Sequence, residues 1–173
     1  MSEIINPQDA ELEEIILGSC LIESKAITLI ADILRPEAFY NEKNLEIYAT
    51  LQSMYRNGQK IDIITVKEEL ARRGKLEFIG GPYTLAHISG RVASSAHLEY
   101  HARILKQKYI RRETILGFHK LLALAADETT DIDDTLADAH TLLDRLENEC
   151  GTTEHLRLSL IHISEPTRLA LIS

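Results

Sequence analysis

The stretch that decides the fold is "HLEYHARILKQKYIRRETILGFHKLLALAA", residues 97–126. It holds no proline and a single glycine, Gly117. From about Ser95 to Ala126 nothing but that glycine interrupts a helical pattern, and an interior glycine costs about 1 kcal/mol relative to alanine. Leu98, Ala102, Leu105 and Tyr109 step by four and three, so they form one seam. "DETTD" at 127–131 supplies a turn with capping residues, and a second helix is predicted to about Glu149. On it, Ile132, Leu136, Ala139, Leu143 and Leu146 repeat the same steps and mark the seam for a partner helix. Residues 94–150 are therefore predicted to form an antiparallel helical hairpin.

Residues 1–93 read as a compact head of several helices. Asp9 can cap a first helix to about Ile22, with Leu12, Ile15, Ile16 and Leu21 at helical spacing. A second is expected over Ser24–Leu34, with Ile27, Ile30, Ile33 and Leu34 inward. Pro36 then starts a short helical turn, as proline does at a first helical position. Lys43–Arg56 repeats the period and stops at Asn57–Gly58. Thr65 followed by Glu68 has capping-box spacing and opens a helix to Arg73. "GG" at 80–81 turns the chain, and Pro82 begins a last short helix through Ile88.

Length arithmetic gives the expected architecture. About 32 helical residues extend roughly 48 Å at 1.5 Å each. A head of about 90 residues has a radius of gyration near 12 Å and cannot cover such a helix. The sequence thus predicts an all-α fold, a multi-helix head followed by a projecting hairpin. Ile104, Ile110, Ile115, Leu121 and Leu124 add more apolar surface than one shorter helix can bury, which implies further subunits. Leu105, Tyr109, Arg112, Leu116, Leu136 and Leu143 are the candidate subunit-interface residues.

The chain has 173 residues, 45 % hydrophobic and 27 % charged, with a formal net charge of −8. That charge argues against nucleic-acid binding by the whole surface. No apolar run approaches the roughly 20 residues a membrane span needs. No basic segment followed by an apolar one opens the chain, so it reads as cytoplasmic. Cys20 and Cys150 form no CxxC, and Cys20 lies among apolar residues like a buried thiol.

Catalytic patterns fail one by one. A P-loop needs GxxxxGK[ST], and the only Gly-Lys, Gly74–Lys75, is followed by Leu76 with Glu69 at the first glycine position. His97 and His101 are four apart, but Glu99 falls on the other side of the helix from the HExxH arrangement and no third ligand has recognisable spacing. The neighbouring carboxylates Glu11, Glu13 and Glu14, like Glu68 and Glu69, fit solvated faces better than an acid–base pair. Ser94, Ser95 and His97 lack a nucleophile elbow. No catalytic, cofactor-binding or metal-ligating residue is assigned. Lys106, Lys108, Arg111 and Arg112 are the only basic cluster. They suit phosphates or a neighbouring subunit's carboxylates, and the acidic partner helix favours the latter.

Four segments, "NPQDAELEEIILGSCLIE" (6–23), "LRPEAFYNEKNLEIYATLQSM" (34–54), "DIITVKEELARRGKLEFIGGPYTLAHI" (62–88) and "HLEYHARILKQKYIRRETI" (97–115), together resemble the N-terminal domain of DnaB-type replicative DNA helicases. The resemblance covers about residues 6–150. Ala96 departs from it, standing where the family usually has asparagine, so Ser94 or Ser95 is expected to cap the long helix. The resemblance implies a helical head and a hairpin. It also implies that hairpins pair and that three pairs build a collar on a hexameric ring around DNA. The collar would contact primase and, in some lineages, a helicase loader. ATP, Mg and catalysis belong in the family to a separate motor domain, so this chain alone is not expected to be an enzyme although its full-length parent would be an ATP-dependent helicase. DNA would be met only through the full ring.

Residues 151–173 read as a linker remnant and a foreign tail. "LSLIHISEPTR" (158–168) resembles a translated sequencing adapter, which would end the natural protein near Arg157. Three rivals stay open: a stand-alone helical DNA-binding module using Lys106–Arg112, a free-standing helicase or primase adaptor, and an enzyme with an unrecognised site.

Overall fold

A computed structural model describes residues 7–92 and 95–151. The proposed cap Ser94 and the proposed foreign tail, Leu158–Ser173, lie outside them. Among the described residues the fold is all-helical: α1 (Ala10–Ile22), α2 (Ala26–Ile30), a 3-10 turn (Pro36–Ala38), α3 (Glu42–Arg56), α4 (Ile63–Arg72), α5 (Gly81–Gly90), α6 (Leu98–Ala126) and α7 (Ile132–Cys150). The chain divides into two compact units, Met1–Arg112 and Glu113–Ser173.

The first unit is built around α1 and α3. Asp9 caps α1 by accepting from Leu12 N at 3.1 Å, and Ile16, Leu17, Cys20 and Leu21 enter the core. Gly18 lets α5 approach. A Cβ there would stand 2.6 Å from the Ile88 carbonyl oxygen and 2.6 Å from Val92 Cγ2. Buried Glu13 accepts from Tyr40 N (2.7 Å), Asn41 N (3.3 Å) and Asn44 Nδ2 (2.9 Å), so a carboxylate on α1 holds the start of α3. At the same end of α5, Arg91 reaches both Glu11 (3.1 Å) and Glu14 (2.5 Å) of α1.

Two elements differ from their sequence-based expectation. α2 is five residues long and stops at Ile30 instead of running to Leu34. Beyond it the chain makes a turn, with Ile33 N and Leu34 N both donating to the Ile30 carbonyl, and Arg35 before Pro36 is extended. Tyr48 Oη and Gln52 Nε2 instead take up the Leu34 carbonyl, each at 3.4 Å. In α4 the capping box is Asp62–Thr65, not Thr65–Glu68. Asp62 accepts from Thr65 N (2.9 Å) while Thr65 Oγ1 accepts from Asp62 N (3.0 Å). A carboxylate three residues earlier takes the capping place, and the threonine hydroxyl makes the return bond that Glu or Gln usually makes.

The unit boundary falls inside α6, between Arg112 and Glu113, while the sequence reading ended the head at residue 93. The reason is packing. Leu98, Ala102 and Leu105 are buried with the α1–α5 core, and Ile104 and Tyr109 pack against it. The first half of α6 is thus part of the head, and the second half belongs with α7.

Candidate assembly surface

In the second unit, Glu113 Oε2 meets Arg145 Nη2 at 3.4 Å and Lys120 Nζ meets Asp138 Oδ2 at 3.4 Å. The two orders run oppositely, so the helices are antiparallel. Between these pairs Leu142 lies over Gly117. A Cβ on Gly117 would stand 2.5 and 2.6 Å from the two Leu142 methyls. At the helix-weakening glycine, Leu142 of α7 leaves no room for a side chain.

This contact fixes the rotation of α7, and it differs from the expected seam. Thr135, Leu142 and Leu146 are buried, with Ala139 half-buried. Ile132, Leu136 and Leu143, three of the five seam residues expected from spacing, are exposed. Leu142 and Leu143 are adjacent leucines, and a glycine on the facing helix selects Leu142.

The displaced residues do not scatter. At 100° per residue, Ile132, Leu136 and Leu143 lie about 80–120° round α7 from Leu142. Phe118 and Leu122 lie about 100–140° round α6 from Gly117. In an antiparallel pair the same sense of rotation from the facing residue leads to the same side. The register set by the two ion pairs also brings Leu122 level with Leu136. One face of the hairpin therefore carries Phe118, Leu122, Ile132, Leu136 and Leu143, all between 46 % and 67 % exposed. Leu116, 57 % exposed, lies about 100° the other way, on the opposite face.

The remaining interface candidates have other placements. Leu105 is fully buried in the head core and Tyr109 packs against it. Arg112, only 6 % exposed, donates to the carbonyls of Pro7 (2.9 Å) and Ala38 (2.6 Å). Its guanidinium lies 5.5 Å from the Tyr40 ring centroid and 5.9 Å from that of Tyr109. Leu105 and Arg112 therefore serve the head's own interior and not an outer interface. The basic cluster is divided in the same way. Lys108 reaches the Asp9 carboxylate (3.3 Å) and the Gln8 carbonyl (3.5 Å). Lys106 is half-buried and Arg111 is exposed.

Phe118 and Leu122 are absent from the sequence-based interface set. Their i, i+4 spacing was available as a signal, but only the rotation fixed at Gly117 shows that they join Leu136 and Leu143.

The charge is also unevenly placed. Glu113–Gly151 carries ten carboxylates against Lys120 and Arg145, a net −8 with histidines neutral, whereas residues 1–112 carry fifteen of each sign.

Glu69 is gripped by Arg72 (2.6 Å) and Arg73 (2.7 Å), which hold its carboxyl at about 2. Burial pushes the Cys20 thiol up to about 12. His97 and His101 have ring centroids 6.4 Å apart, and among the described residues no group of three or more metal-binding side chains occurs. No helix among them is long and apolar enough to cross a membrane.

Among the described residues the domain is all-helical, and its second unit is a two-helix hairpin with one apolar face exposed. The chain belongs to the DnaB-like helicase N-terminal domain family, whose sequence model matches residues 5–107. It is 38 % identical over 164 residues to the replicative DNA helicase DnaB of Rhodothermus marinus, covering 95 % of this chain and 16 % of that protein. It is 30 % identical over 143 residues to the replicative DNA helicase DnaC of Bacillus subtilis (strain 168), covering 80 % of this chain and 32 % of the other. The chain thus spans about a third or less of these relatives. Among solved structures, the N-terminal domain of the Mycobacterium tuberculosis DnaB helicase superposes with a TM-score of 0.68 at 27 % identity, covering 84 % of this chain and 98 % of that one. A DnaB-like replicative helicase, solved in a study of its interactions with primase, superposes with a TM-score of 0.68 at 26 % identity over 90 % of this chain and 36 % of its own.

Proposed function

We propose that this domain builds the collar of a cytoplasmic hexameric helicase by pairing its hairpin with that of a second copy. The observation that carries this reading is the single apolar face of Phe118, Leu122, Ile132, Leu136 and Leu143. Five large apolar side chains left in water on one side of a two-helix unit favour burial against another chain. A two-fold pair lays the same patch on itself and covers both copies at once. The wider reading adds primase as a docking partner, a helicase loader in some lineages, and ATP and Mg in a motor domain of the longer protein, through whose ring DNA is met. The primase part is supported by the likeness to the helicase studied with primase.

The DNA-binding rival is disfavoured by the division of the basic cluster, since Lys108 and Arg112 bind the chain's own residues 7–9 and 38. Sedimentation equilibrium of the whole chain tests the pairing. A concentration-dependent dimer or larger even-numbered species is expected, abolished by Leu136→Asp. Monomers at all concentrations, or association unaffected by that substitution, would overturn the reading.

A further inference from the structure

The apolar face sits on the most acidic part of the molecule. All of the chain's net charge of −8 is accounted for by Glu113–Gly151, and the head contributes equal numbers of both signs. The hairpin's only two cations, Lys120 and Arg145, are engaged within it by Asp138 and Glu113. Glu147 lies about 140° round α7 from Leu142, at the edge of the apolar face, and both it and Asp144 are exposed.

We infer that ionic strength regulates the pairing of two hairpins, and that their association strengthens as salt rises. The inference rests on the pairing reading above. Packed helices lie about 8–10 Å apart, so a paired structure brings two units of −8 close together. The Debye length is about 30 Å at 0.01 M salt and about 3 Å at 1 M. In dilute salt every carboxylate of one hairpin therefore feels most of the other hairpin, and in concentrated salt only its nearest neighbours. The apolar contact that drives pairing does not depend on charge, so screening removes mainly the opposing effect. Phosphate binding has the reverse sign, because it releases counterions and weakens with salt. Docking through ion pairs between copies has the reverse sign too. The direction of the salt effect therefore separates an apolar self-pairing face from a charge-matched one.

The test is sedimentation equilibrium of the full chain in sodium chloride at about 0.02, 0.15 and 0.5 M, a range over which the screening length falls from over 20 Å to under 5 Å. The dimer dissociation constant is expected to fall at least about tenfold across the series. The double variant Asp144→Asn/Glu147→Gln should pair more tightly than the parent at the lowest salt and respond less to salt. Leu136→Asp should remain monomeric even at the highest salt. Dimers that weaken or stay unchanged as salt rises would overturn the inference while leaving pairing intact. A parent that stays monomeric at every salt, or a Leu136→Asp variant that associates like the parent, would overturn the pairing reading itself.

Discussion

Leu142 occupies the space that a side chain at position 117 would need, its two methyls 2.5 and 2.6 Å from where a Cβ would stand. The substitution Gly117→Ala therefore combines two opposed effects. Helix propensity favours it by about 1 kcal/mol, and crowding a packed contact opposes it by about 1–3 kcal/mol. In the parent the change is expected to be neutral to destabilising. In a Leu142→Ala background, where the crowding is gone, it should stabilise by about 1 kcal/mol. Urea unfolding of the four chains in this cycle checks the change of sign. An equal effect in both backgrounds would show that the contact does not set the hairpin's register.

Gly18 presents a harder obstacle, because one of its neighbours is the backbone oxygen of Ile88 at 2.6 Å. A side-chain end can rotate away, whereas a carbonyl moves only with its helix. Gly18→Ala should cost about 2 kcal/mol or more, at the upper part of the range for overpacking. Thermal unfolding would show it as a lowered Tm, and an unchanged Tm would mean that α1 and α5 can separate freely.

Adjacent arginines should behave very differently. Arg112→Ala leaves the Pro7 and Ala38 carbonyls without their charged donor, a loss of about 2–4 kcal/mol for bonds of this kind. Arg111→Ala, at an exposed position, should fall within about 0.5 kcal/mol of the parent. Similar losses at both positions in chemical denaturation would contradict the interior role of Arg112.

The two faces of the hairpin make a further contrast. Leu143→Asp should prevent self-association, because Leu143 lies with Phe118, Leu122 and Leu136. Leu116→Asp, on the opposite face, should leave association unchanged. Both positions are about half exposed, at 46 % and 57 %, so neither substitution inserts a charge into the core. Sedimentation of both variants checks the assignment, and dissociation by Leu116→Asp would move the interface to the other face.

Glu69 predicts a pH dependence. Hydrogen bonds from Arg72 and then Arg73 hold its carboxyl at about 2, below the ordinary 4.5. A folded-state value below the unfolded one stabilises the fold fully above the unfolded value, and the contribution is lost as pH falls through the folded value. Glu69 should therefore stabilise the head above pH 4.5 and lose that effect as pH falls toward 2. Glu69→Gln should flatten the stability profile across that window. An unchanged profile would show that the two arginines do not grip the carboxylate in solution.

The sequence made the helices legible because their signals are local. Asp9 as a cap and the run from Leu98 to Ala126 need no knowledge of distant residues. α2 stops earlier than its apolar spacing suggested, and Ile33 and Leu34 turn inward without being helical. The rotation of α7 was not legible from α7 alone. Its apolar arc is wide enough for two stripes, and Gly117 on another helix decides which is buried. Arg112 reads as a surface cation in a basic run, and only the arrival of Pro7 and Ala38 beside it reveals a buried clasp.

The burial of Cys20 has a practical consequence. Its thiol is fully enclosed and shifted to about 12, so at neutral pH it stays protonated and inaccessible to alkylating reagents. Cys150, the last residue of α7, is exposed and lies about 80° round that helix from Leu142, in line with Leu136 and Leu143. A maleimide-linked spin label or fluorophore added to the unmodified protein would attach at one position only, beside the apolar face, and report directly on the approach of a second hairpin.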